Sequence, residues 1–498
     1  MAGADAPVRT PWLWKPTGGA LRKHVQPRGR VLRRIAGASL VSVLAMGTMA
    51  GTAPIAAAAP ASATGPWSTP TALTGGDEAV NVIDVKTAAN GDVVAALYRQ
   101  VDGTDDLEVR VAVRPANSAT WGASTLVDTM DVRKGHPAVR LLPAPDGSVT
   151  LTWLRTGPSY TIRTSVLAPG ATGWSTPVDI VQHSSPIIPA MAIGPSGSAV
   201  MAWRQSASSQ SSEILVTQRA TPAGDWSTPE RLDTTPADTT EGDQQILVAA
   251  DGSLTVVWNE NGPHTSAVMA VDKPAGAAGW TAPRALSAPS SEAHAVQAGQ
   301  GPDGRSVLLW TSPADTVGGP DTMAMTVREA GSTQWGPVET VAEVHSAVTT
   351  RPLVAPNGEI TVVWVDHRTI GFGTRAVTRS TAGAWSPVRT LSTDYVPEQF
   401  DAEIGPDGTV HVGWVQEASP TWDTGRVFRH AARVDGVWTA PKTLSRTPSA
   451  VAIGHVAGGA AGQAAGVWEE TRWDEPTGRY IGQIWSAGTG LPGTAARR

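Results

Sequence analysis

Two tryptophan–aspartate pairs carry the clearest chemical signal in the sequence. Trp422 and Asp423 stand in EASPTWDTGR, and Trp473 and Asp474 stand in EETRWDEPTGR. An exposed indole offers a face on which a sugar ring can stack, and an adjacent carboxylate accepts hydrogen bonds from hydroxyl groups. The two pairs therefore predict a carbohydrate-binding surface. The alternative is that each indole packs beneath its own long loop.

Both pairs lie within an internal repeat that must position them. A phrase of the form DGxxxxxW recurs, as in APDGSVTLTWLR, AADGSLTVVWNE and GPDGTVHVGWVQ. The aromatic residues of the repeat follow one another at intervals of 50–55 residues, at Tyr98, Trp153, Trp203, Trp258, Trp310, Trp364, Trp414 and Trp468. Such a period is typical of propellers and solenoids.

Each repeat carries the signals of four short strands. Around Trp258, the runs QQILVAA, SLTVVW, SAVMAVDK and WTAPRAL are separated by turn residues, and Asp251–Gly252 is a favoured pair for a tight hairpin. Four antiparallel strands per repeat are typical of a propeller blade. The predicted fold class is all-β, an eight-bladed β-propeller of four-stranded antiparallel blades. A seven-bladed ring and a β-solenoid are the alternatives.

A second phrase, tryptophan with a small hydroxyl residue and a proline, predicts the outer strand of each blade. It follows the repeat aromatic by 21–25 residues, as in GWTAPRALS from Gly279. A further copy, GPWSTPTALT, stands at Gly65–Thr74 before the first repeat, whereas no copy follows Trp468. Because an unpaired strand edge is a liability, we expect the N-terminal copy to close the last blade. The repeated tryptophans are expected to be packing residues.

Residues that directly follow the second strand differ from repeat to repeat, whereas the framework does not. In propellers these loops surround the central channel on one face, and variable loops on a rigid scaffold commonly carry function. The candidate binding residues at these positions are Arg155, Arg204, Glu260, Asp366, Arg368, Glu417 and Glu470. They predict a mouth of mixed charge able to bind a polar ligand, with an ordinary solvated rim as the alternative.

The first 63 residues have the composition of an export signal. A basic stretch, RGRVLRR, precedes the apolar run Ile35–Met49 and the small-residue stretch APIAAAAPASA. The predicted organisation is a signal and processing region at 1–63, a propeller at 64–489 and a C-terminal tail at 490–498. The expected location is extracellular, with membrane contact only transiently during export.

Charge and composition exclude several classes of partner and site. The formal charge of the whole chain is −6 and residues 1–63 are basic, so the remainder is more acidic still, which disfavours nucleic acid as a partner. The chain has no cysteine, and its ten histidines show no HExxH pattern. No cofactor, metal site or catalytic constellation is predicted, and the protein is expected not to be an enzyme. A glycan or cell-surface polymer is the expected partner, with other secreted proteins as further candidates.

The repeat resembles two families of bacterial propellers over residues 64–489. The DGxxxxxW phrase resembles the Asp-box hairpins of sialidase-like propellers, although in that box one residue separates the aspartate from the glycine. The tryptophan–proline phrase is similar to those of propeller lectins. The resemblance implies a secreted propeller that binds carbohydrate through its loop face. Its alternatives are a protein-interaction scaffold, similar to a lectin-type subunit of an exported toxin-like particle, and a sialidase-like glycoside hydrolase.

A sialidase would need an arginine triad and a tyrosine nucleophile supported by a glutamate. Tyr98 fills a core position of the repeat, which leaves Tyr160, Tyr395 and Tyr480. Three arginines cannot be placed around any of them from the sequence.

Overall fold

The computed structural model describes residues 65–489 with short gaps. The gaps are 76–78, 117, 132–137, 158, 185–187, 207–210, 223, 234–239, 263–265, 289–292, 315–318, 346–348, 368–371, 393–399, 419–424, 447–450, 460–461 and 476–478. The predicted signal region 1–63 and tail 490–498 therefore lie outside the described residues. No helix among the described residues has the length and apolar character needed to cross a membrane.

Eight antiparallel sheets form the blades, and each begins with an inner strand and continues outward. The inner strands are β2 (Ala79–Thr87), β6 (Val139–Pro143), β10 (Ile188–Ile193), β14 (Thr240–Val248), β18 (His294–Gln300), β22 (Thr350–Val354), β26 (Phe400–Ile404) and β31 (Val451–Gly458). The second strands are β3 (Val93–Gln100), β7 (Val149–Arg155), β11 (Ala199–Ser206), β15 (Leu254–Asn261), β19 (Ser306–Ser312), β23 (Ile360–His367), β27 (Val410–Glu417) and β32 (Ala464–Asp474).

The third and outer strands complete the blades. The third strands are β4 (Asp106–Arg114), β8 (Tyr160–Leu167), β12 (Ser212–Arg219), β16 (Ser266–Lys273), β20 (Asp321–Arg328), β24 (Phe372–Arg379), β28 (Arg426–Val434) and β33 (Arg479–Gly488). The outer strands are β5 (Thr125–Asp131), β9 (Val178–His183), β13 (Glu230–Arg231), β17 (Arg284–Ala285), β21 (Glu339–Val344), β25 (Arg389–Thr390), β29 (Val437–Trp438), β30 (Lys442–Thr443) and β1 (Thr71–Ala72). In blade 7 both β29 and β30 pair with β28.

The inner strands form a closed ring around a central channel. Each of them contacts the inner strand of the preceding and of the following blade, and β31 of blade 8 contacts β2 of blade 1. The predicted eight-bladed all-β propeller is confirmed, and the seven-bladed alternative is wrong.

The N-terminal segment closes blade 8, as its extra copy of the tryptophan–proline phrase predicted. Strand β1 pairs antiparallel with β33, with Thr71 opposite Ser486 and Ala72 opposite Trp485. Trp485 is thereby a residue of the third strand. The closing segment, residues 65–74, supplies the outer strand that the last blade lacks in its own repeat.

Hydroxyl side chains explain why the outer phrase has its composition. In blade 4, the Asp272 amide donates to Thr281 Oγ1 (2.9 Å), and the Thr281 amide donates to the Asp272 carbonyl (2.8 Å). The same two bonds join Ser68 of the closing segment to Gly488, at 3.1 and 2.8 Å. The proline of the phrase has no N–H to donate and interrupts the backbone pairing. The hydroxyl group accepts the third-strand amide at this point, so that amide keeps a hydrogen-bond partner.

The Asp-Gly phrase forms the hairpin between inner and second strands. In blade 4, Asp251 Oδ1 accepts a hydrogen bond from the Ser253 amide at 2.8 Å, and Gly252 has a φ of +85°. That positive φ favours glycine, and the aspartate side chain satisfies an amide that the turn leaves unpaired. The phrase that carries the family resemblance is therefore a turn element.

The repeated tryptophans fall into two structural classes. Those of the second strands are fully buried and pack between blades. Those of the outer phrases are half-buried, and at least four of them lie beneath a basic side chain at the end of the third strand, as Arg328 lies 4.9 Å from the ring centroid of Trp335. The first class forms the core, and the second seals the outside of the blade interfaces.

Removal of the closing segment tests the ring. Deleting Gly65–Leu73 should leave the outer edge of β33 unpaired, and we expect a lower melting temperature together with aggregation. Calorimetry and light scattering measure both. Deletion of the nine residues 490–498, an equal length beyond the last strand, is the matched control. If both deletions left the melting temperature unchanged, closure by β1 would not stabilise the ring.

Substitution within the two tryptophan classes tests their roles. Trp258→Ala should lower the free energy of unfolding by about 3–5 kcal/mol, because it removes a fully buried aromatic side chain. Trp280→Ala, which removes the half-buried indole of the same blade, should cost clearly less. Urea unfolding of the two variants gives the comparison, and equal losses would contradict the distinction.

Candidate functional site

The rim residues proposed from the sequence differ in how far they reach solvent. Arg155 is exposed, whereas Arg204 and Glu260 are half-buried. Glu417 forms an ion pair with Arg426, with Oε1 and Nε 3.2 Å apart. Glu470 accepts a hydrogen bond from the indole N–H of Trp468 at 2.9 Å. The rim is polar, but several of its charges are already engaged within their own blade.

Asp366 corrects the sequence-based interpretation. Its side chain is fully buried, its Oδ2 lies 3.0 Å from Nε of Arg375, and its Oδ1 accepts a hydrogen bond from the His345 amide at 2.9 Å. A carboxylate held in this way anchors the blade and is not presented to a ligand. Arg368, which follows it closely in sequence, lies outside the described residues.

Only one of the two tryptophan–aspartate pairs lies among the described residues. Trp422 and Asp423 lie outside the described residues. Trp473 and Asp474 belong to β32, where their backbones pair with Tyr480 and Arg479 of β33. The hairpin of blade 8 continues past the point where other blades turn, because its second and third strands are longer. The second pair therefore lies on a projecting hairpin and not in a loop.

The central channel brings together a charged cluster that the sequence analysis missed. Inner strands of four consecutive blades, 6, 7, 8 and 1, contribute it. We call it the channel cluster, and its members are Arg351 on β22, Asp401 and Glu403 on β26, His455 on β31, and Asp84 and Lys86 on β2.

Lys86 links blade 1 to blade 7 across the inner side of blade 8. Its ammonium group pairs with Glu403 and lies 3.3 Å from Oδ1 of Asp84. Burial opposes the charged form, but the carboxylates of Asp84, Glu403 and Asp401 outweigh it and raise the pKa of Lys86 above its usual value. Lys86 therefore stays protonated, and its ion pair with Glu403 joins blades 1 and 7 on the channel side of blade 8.

Asp401 is the centre of the second half of the channel cluster. Its Oδ2 accepts a hydrogen bond from the Val456 amide (3.2 Å) and lies 3.3 Å from Nδ1 of His455. Its Oδ1 lies 3.7 Å from the guanidinium of Arg351. Burial alone would raise its pKa, but the His455 hydrogen bond and the charge of Lys86 outweigh burial and lower the pKa of Asp401. The carboxylate is ionised at neutral pH.

The rest of the channel lining is less charged. Arg140 on β6, Gln245 on β14 and Gln297 on β18 occupy equivalent positions, since each pairs with the residue that precedes the repeat tryptophan of its blade. Arg140 is exposed, and the two glutamines are half-buried. Among the side chains that the structure describes, the ions of the channel thus lie mainly on blades 6, 7, 8, 1 and 2, and amides lie on blades 4 and 5. A sequence signal existed, because the residue thirteen places before the repeat tryptophan is polar in blades 2, 4, 5, 6, 7 and 8 within otherwise apolar strands.

Glu469 is a buried acid at the seam between blades 8 and 1. Its Oε2 accepts a hydrogen bond from Nδ2 of Asn81 at 2.9 Å, and the side chain is 2% exposed. Burial raises the pKa of Glu469 to about 7, against which the Asn81 hydrogen bond acts only weakly. The group therefore changes charge near neutrality.

Glu469→Gln tests this protonation. The folded pKa lies above the ordinary value of 4.5, so the contribution of Glu469 to stability is fully present below pH 4.5 and is lost as pH rises through about 7. The variant should gain about 3 kcal/mol over the parent at alkaline pH and nothing near pH 4. Urea unfolding across this range measures it, with Glu470→Gln as the matched control. Parallel curves for parent and variant would contradict the assignment.

Among the described residues, no three His, Asp or Glu side chains are grouped so that they could hold a metal ion. No protein-family model matches the chain, and no curated protein sequence matches it. Solved structures do match.

The matching structures have low sequence identity. The BP39L lectin from Burkholderia pseudomallei is 13% identical, with 74% of this chain and 99% of the lectin covered and a TM-score of 0.45. The polysaccharide lyase Uly1 is 12% identical, with 75% and 91% covered and a TM-score of 0.44. The NanB sialidase from Streptococcus pneumoniae is 8% identical, with 86% and 99% covered and a TM-score of 0.35.

The comparisons correct one expectation from the sequence. The prediction that the protein is not an enzyme is contradicted, because the similar structures include sialidases, a polysaccharide lyase and an arabinanase. At such identities the likeness concerns the fold and does not identify an activity. The chain is an eight-bladed β-propeller, and the solved structures that match it include a lectin, a polysaccharide lyase and sialidases.

Proposed function

We propose that the protein is exported and binds a carbohydrate, such as a glycan or cell-surface polymer, at the channel mouth. The observation that carries the proposal is the convergence of the channel cluster from four separate blades. Arg140, Arg351 and Asp401 are each the second residue of their inner strand, so they lie near the end of the channel that the rim surrounds. Function in propellers commonly lies at this end.

The chemistry of the lining supports a polyhydroxylated ligand. Guanidinium, carboxylate and primary amide groups are planar hydrogen-bonding groups, and together they both donate to and accept from hydroxyls. The side chain of Arg351 is 44% exposed despite its contact with Asp401, so it retains donors for a ligand. Gln245 and Gln297 can each donate and accept. A strongly anionic polymer would instead meet the carboxylates of Asp401 and Glu403.

A specific observation favours a second candidate, a protein-binding scaffold. Val178, Val338 and Val388 each follow the proline of the outer phrase and are 53%, 52% and 47% exposed. These valines occupy one repeated position in blades 2, 5 and 6, where they add apolar surface to the outside of the ring that a protein partner could contact.

A binding assay with a matched pair of arginine variants tests the carbohydrate proposal. A glycan array on the parent protein should identify a saturable ligand, which calorimetry then quantifies. Arg351→Gln should weaken binding about tenfold, the usual effect of removing a hydrogen bond from a charged donor. Arg284→Gln, which changes a comparably exposed arginine on outer strand β17, should bind as the parent does.

The remaining outcomes separate the alternatives. Unchanged affinity in Arg351→Gln would exclude the channel mouth, and the double variant Trp422→Ala with Trp473→Ala would then test the rim. Binding that survives in this double variant and is lost in Arg351→Gln supports the channel. A parent that binds no glycan but co-purifies with secreted proteins would overturn the carbohydrate proposal in favour of the scaffold.

A further inference from the structure

Blade 7 contains a pair of buried histidines that belongs to neither the channel nor the rim. His411 on β27 and His430 on β28 stack with their ring centroids 5.4 Å apart, and Nδ1 of His411 lies 3.2 Å from Nε2 of His430. Both side chains are buried. In blade 6, the residues at the equivalent positions are Thr361 and Ala376. The pair is thus a departure from the repeat and not a framework requirement.

The histidine pair contacts the closing segment directly. The ring of Trp67 lies 4.8 Å from that of His430, at 66° to it. Trp67 also packs closely over Gly466 of blade 8, where an added Cβ would lie 3.5 Å from the indole. The tryptophan that anchors the terminal strand therefore lies between blades 7 and 8, with one of the two histidines against it.

The hydrogen bonding of the pair favours its neutral form over a protonated one. One proton can be shared between Nδ1 of His411 and Nε2 of His430. Nε2 of His411 is buried and has no hydrogen-bond partner among the described atoms. A proton added to the neutral pair at Nε2 of His411 would create a buried N–H without an acceptor and a charge within a largely apolar interface. Either consequence is relieved if the interface opens to water.

The surroundings of the pair also favour the neutral form. Burial lowers the pKa of His411 to about 4, and Asp407, in the turn after β26, opposes this only partly. Burial, then His411 and Lys442 of β30, hold the pKa of His430 well below its usual value. Trp67 and the backbone of Gly458, which approaches the imidazole of His411, add no charge. Asp407 and Lys442 are thus the charged groups that act on the pair.

The closing segment pairs with β33 over a short stretch, and the chain that connects the two runs through the whole ring. Strand β1 has two residues. Two further hydrogen bonds extend the pairing: the Leu73 amide donates to the Ile484 carbonyl (2.7 Å), and the Ile484 amide donates to Thr74 Oγ1 (3.0 Å). Every other outer strand is joined to its third strand by a short loop. The closing segment can therefore detach while the other blades remain folded.

We propose that the His411–His430 pair is an acid-sensitive release for the closing segment: protonation of the pair detaches residues 65–74 from blade 8. Detachment exposes His430 to water and frees the outer edge of β33, which can then accept a strand from another chain.

The direction of the pH effect follows from the buried histidines. Their pKa values are lower in the closed ring than the ordinary value of 6.5. Above about pH 6.5 the neutral pair does not destabilise attachment of the closing segment. As pH falls toward 4, the pair destabilises this attachment increasingly.

Hydrogen–deuterium exchange of the closing segment tests the release. Exchange of the peptide covering 65–75 is measured at about pH 7.5 and about pH 5, corrected for the intrinsic pH dependence of exchange. In the parent, protection of this peptide should fall at least about tenfold at the lower pH, while the outer-strand peptide 280–287 of blade 4 keeps its protection. Unchanged protection of 65–75 in the parent would overturn the proposal.

Variants assign the effect to the pair. His411→Thr with His430→Ala, which installs the residues of blade 6, should remove the pH dependence of protection in 65–75. His183→Gln, on outer strand β9 of blade 2, is the matched histidine control and should behave as the parent does. If the double variant folds poorly, His430→Ala alone provides the same readout. Loss of protection at low pH in a folded variant, equal to that of the parent, would show that other groups release the segment.

Discussion

Pairing between the closing segment and β33 completes blade 8, which otherwise lacks an outer strand. Each blade buries its second-strand aromatic residue, and blade 8 packs against blades 7 and 1, so the packing of those two blades depends on blade 8 being in place. Lys86 and Glu403 join the same two blades on the channel side. Strand β1 thus stabilises blade 8 at its outer edge, and the Lys86–Glu403 ion pair joins its two neighbouring blades at the channel. Both interactions bring distant parts of the chain together.

The tryptophan–proline phrase stabilises the outer edge of each blade although the outer strand is short. An outer strand with two paired residues leaves backbone amides of the third strand without a hydrogen-bond partner, and the proline lacks an amide proton that could donate to that strand. The hydroxyl group after the tryptophan accepts one amide of the third strand, and a polar side chain after the leucine accepts another, as Ser287 does from Val268. The phrase therefore satisfies the backbone with side chains, and it leaves a sheet edge too short to pair readily with another chain.

Chemistry in this propeller arises where a blade departs from its repeat. Most of the second strand carries apolar or threonine side chains that pack between blades, and the inner strands carry small or apolar ones. The channel cluster and the His411–His430 pair replace such residues with ionisable ones in blades 6, 7, 8 and 1. The groups that can change charge therefore lie in the blades beside the place where the N-terminal strand completes blade 8.

The sequence by itself determined the blade, the number of blades and the closure by the N-terminal strand, because strand alternation, turn residues and period are local properties of the chain. Only the tertiary structure decided which polar residues meet. Lys86 and Glu403 are separated by 317 residues, and their contact depends on the radius of a ring that the packing of all eight blades sets. Asp366 has the sequence context of a rim residue but is buried against Arg375, and Trp473 lies on a hairpin because β32 and β33 extend beyond their repeat. A periodic pattern specifies where a strand runs, whereas the burial and partners of its polar side chains follow from the neighbouring blades.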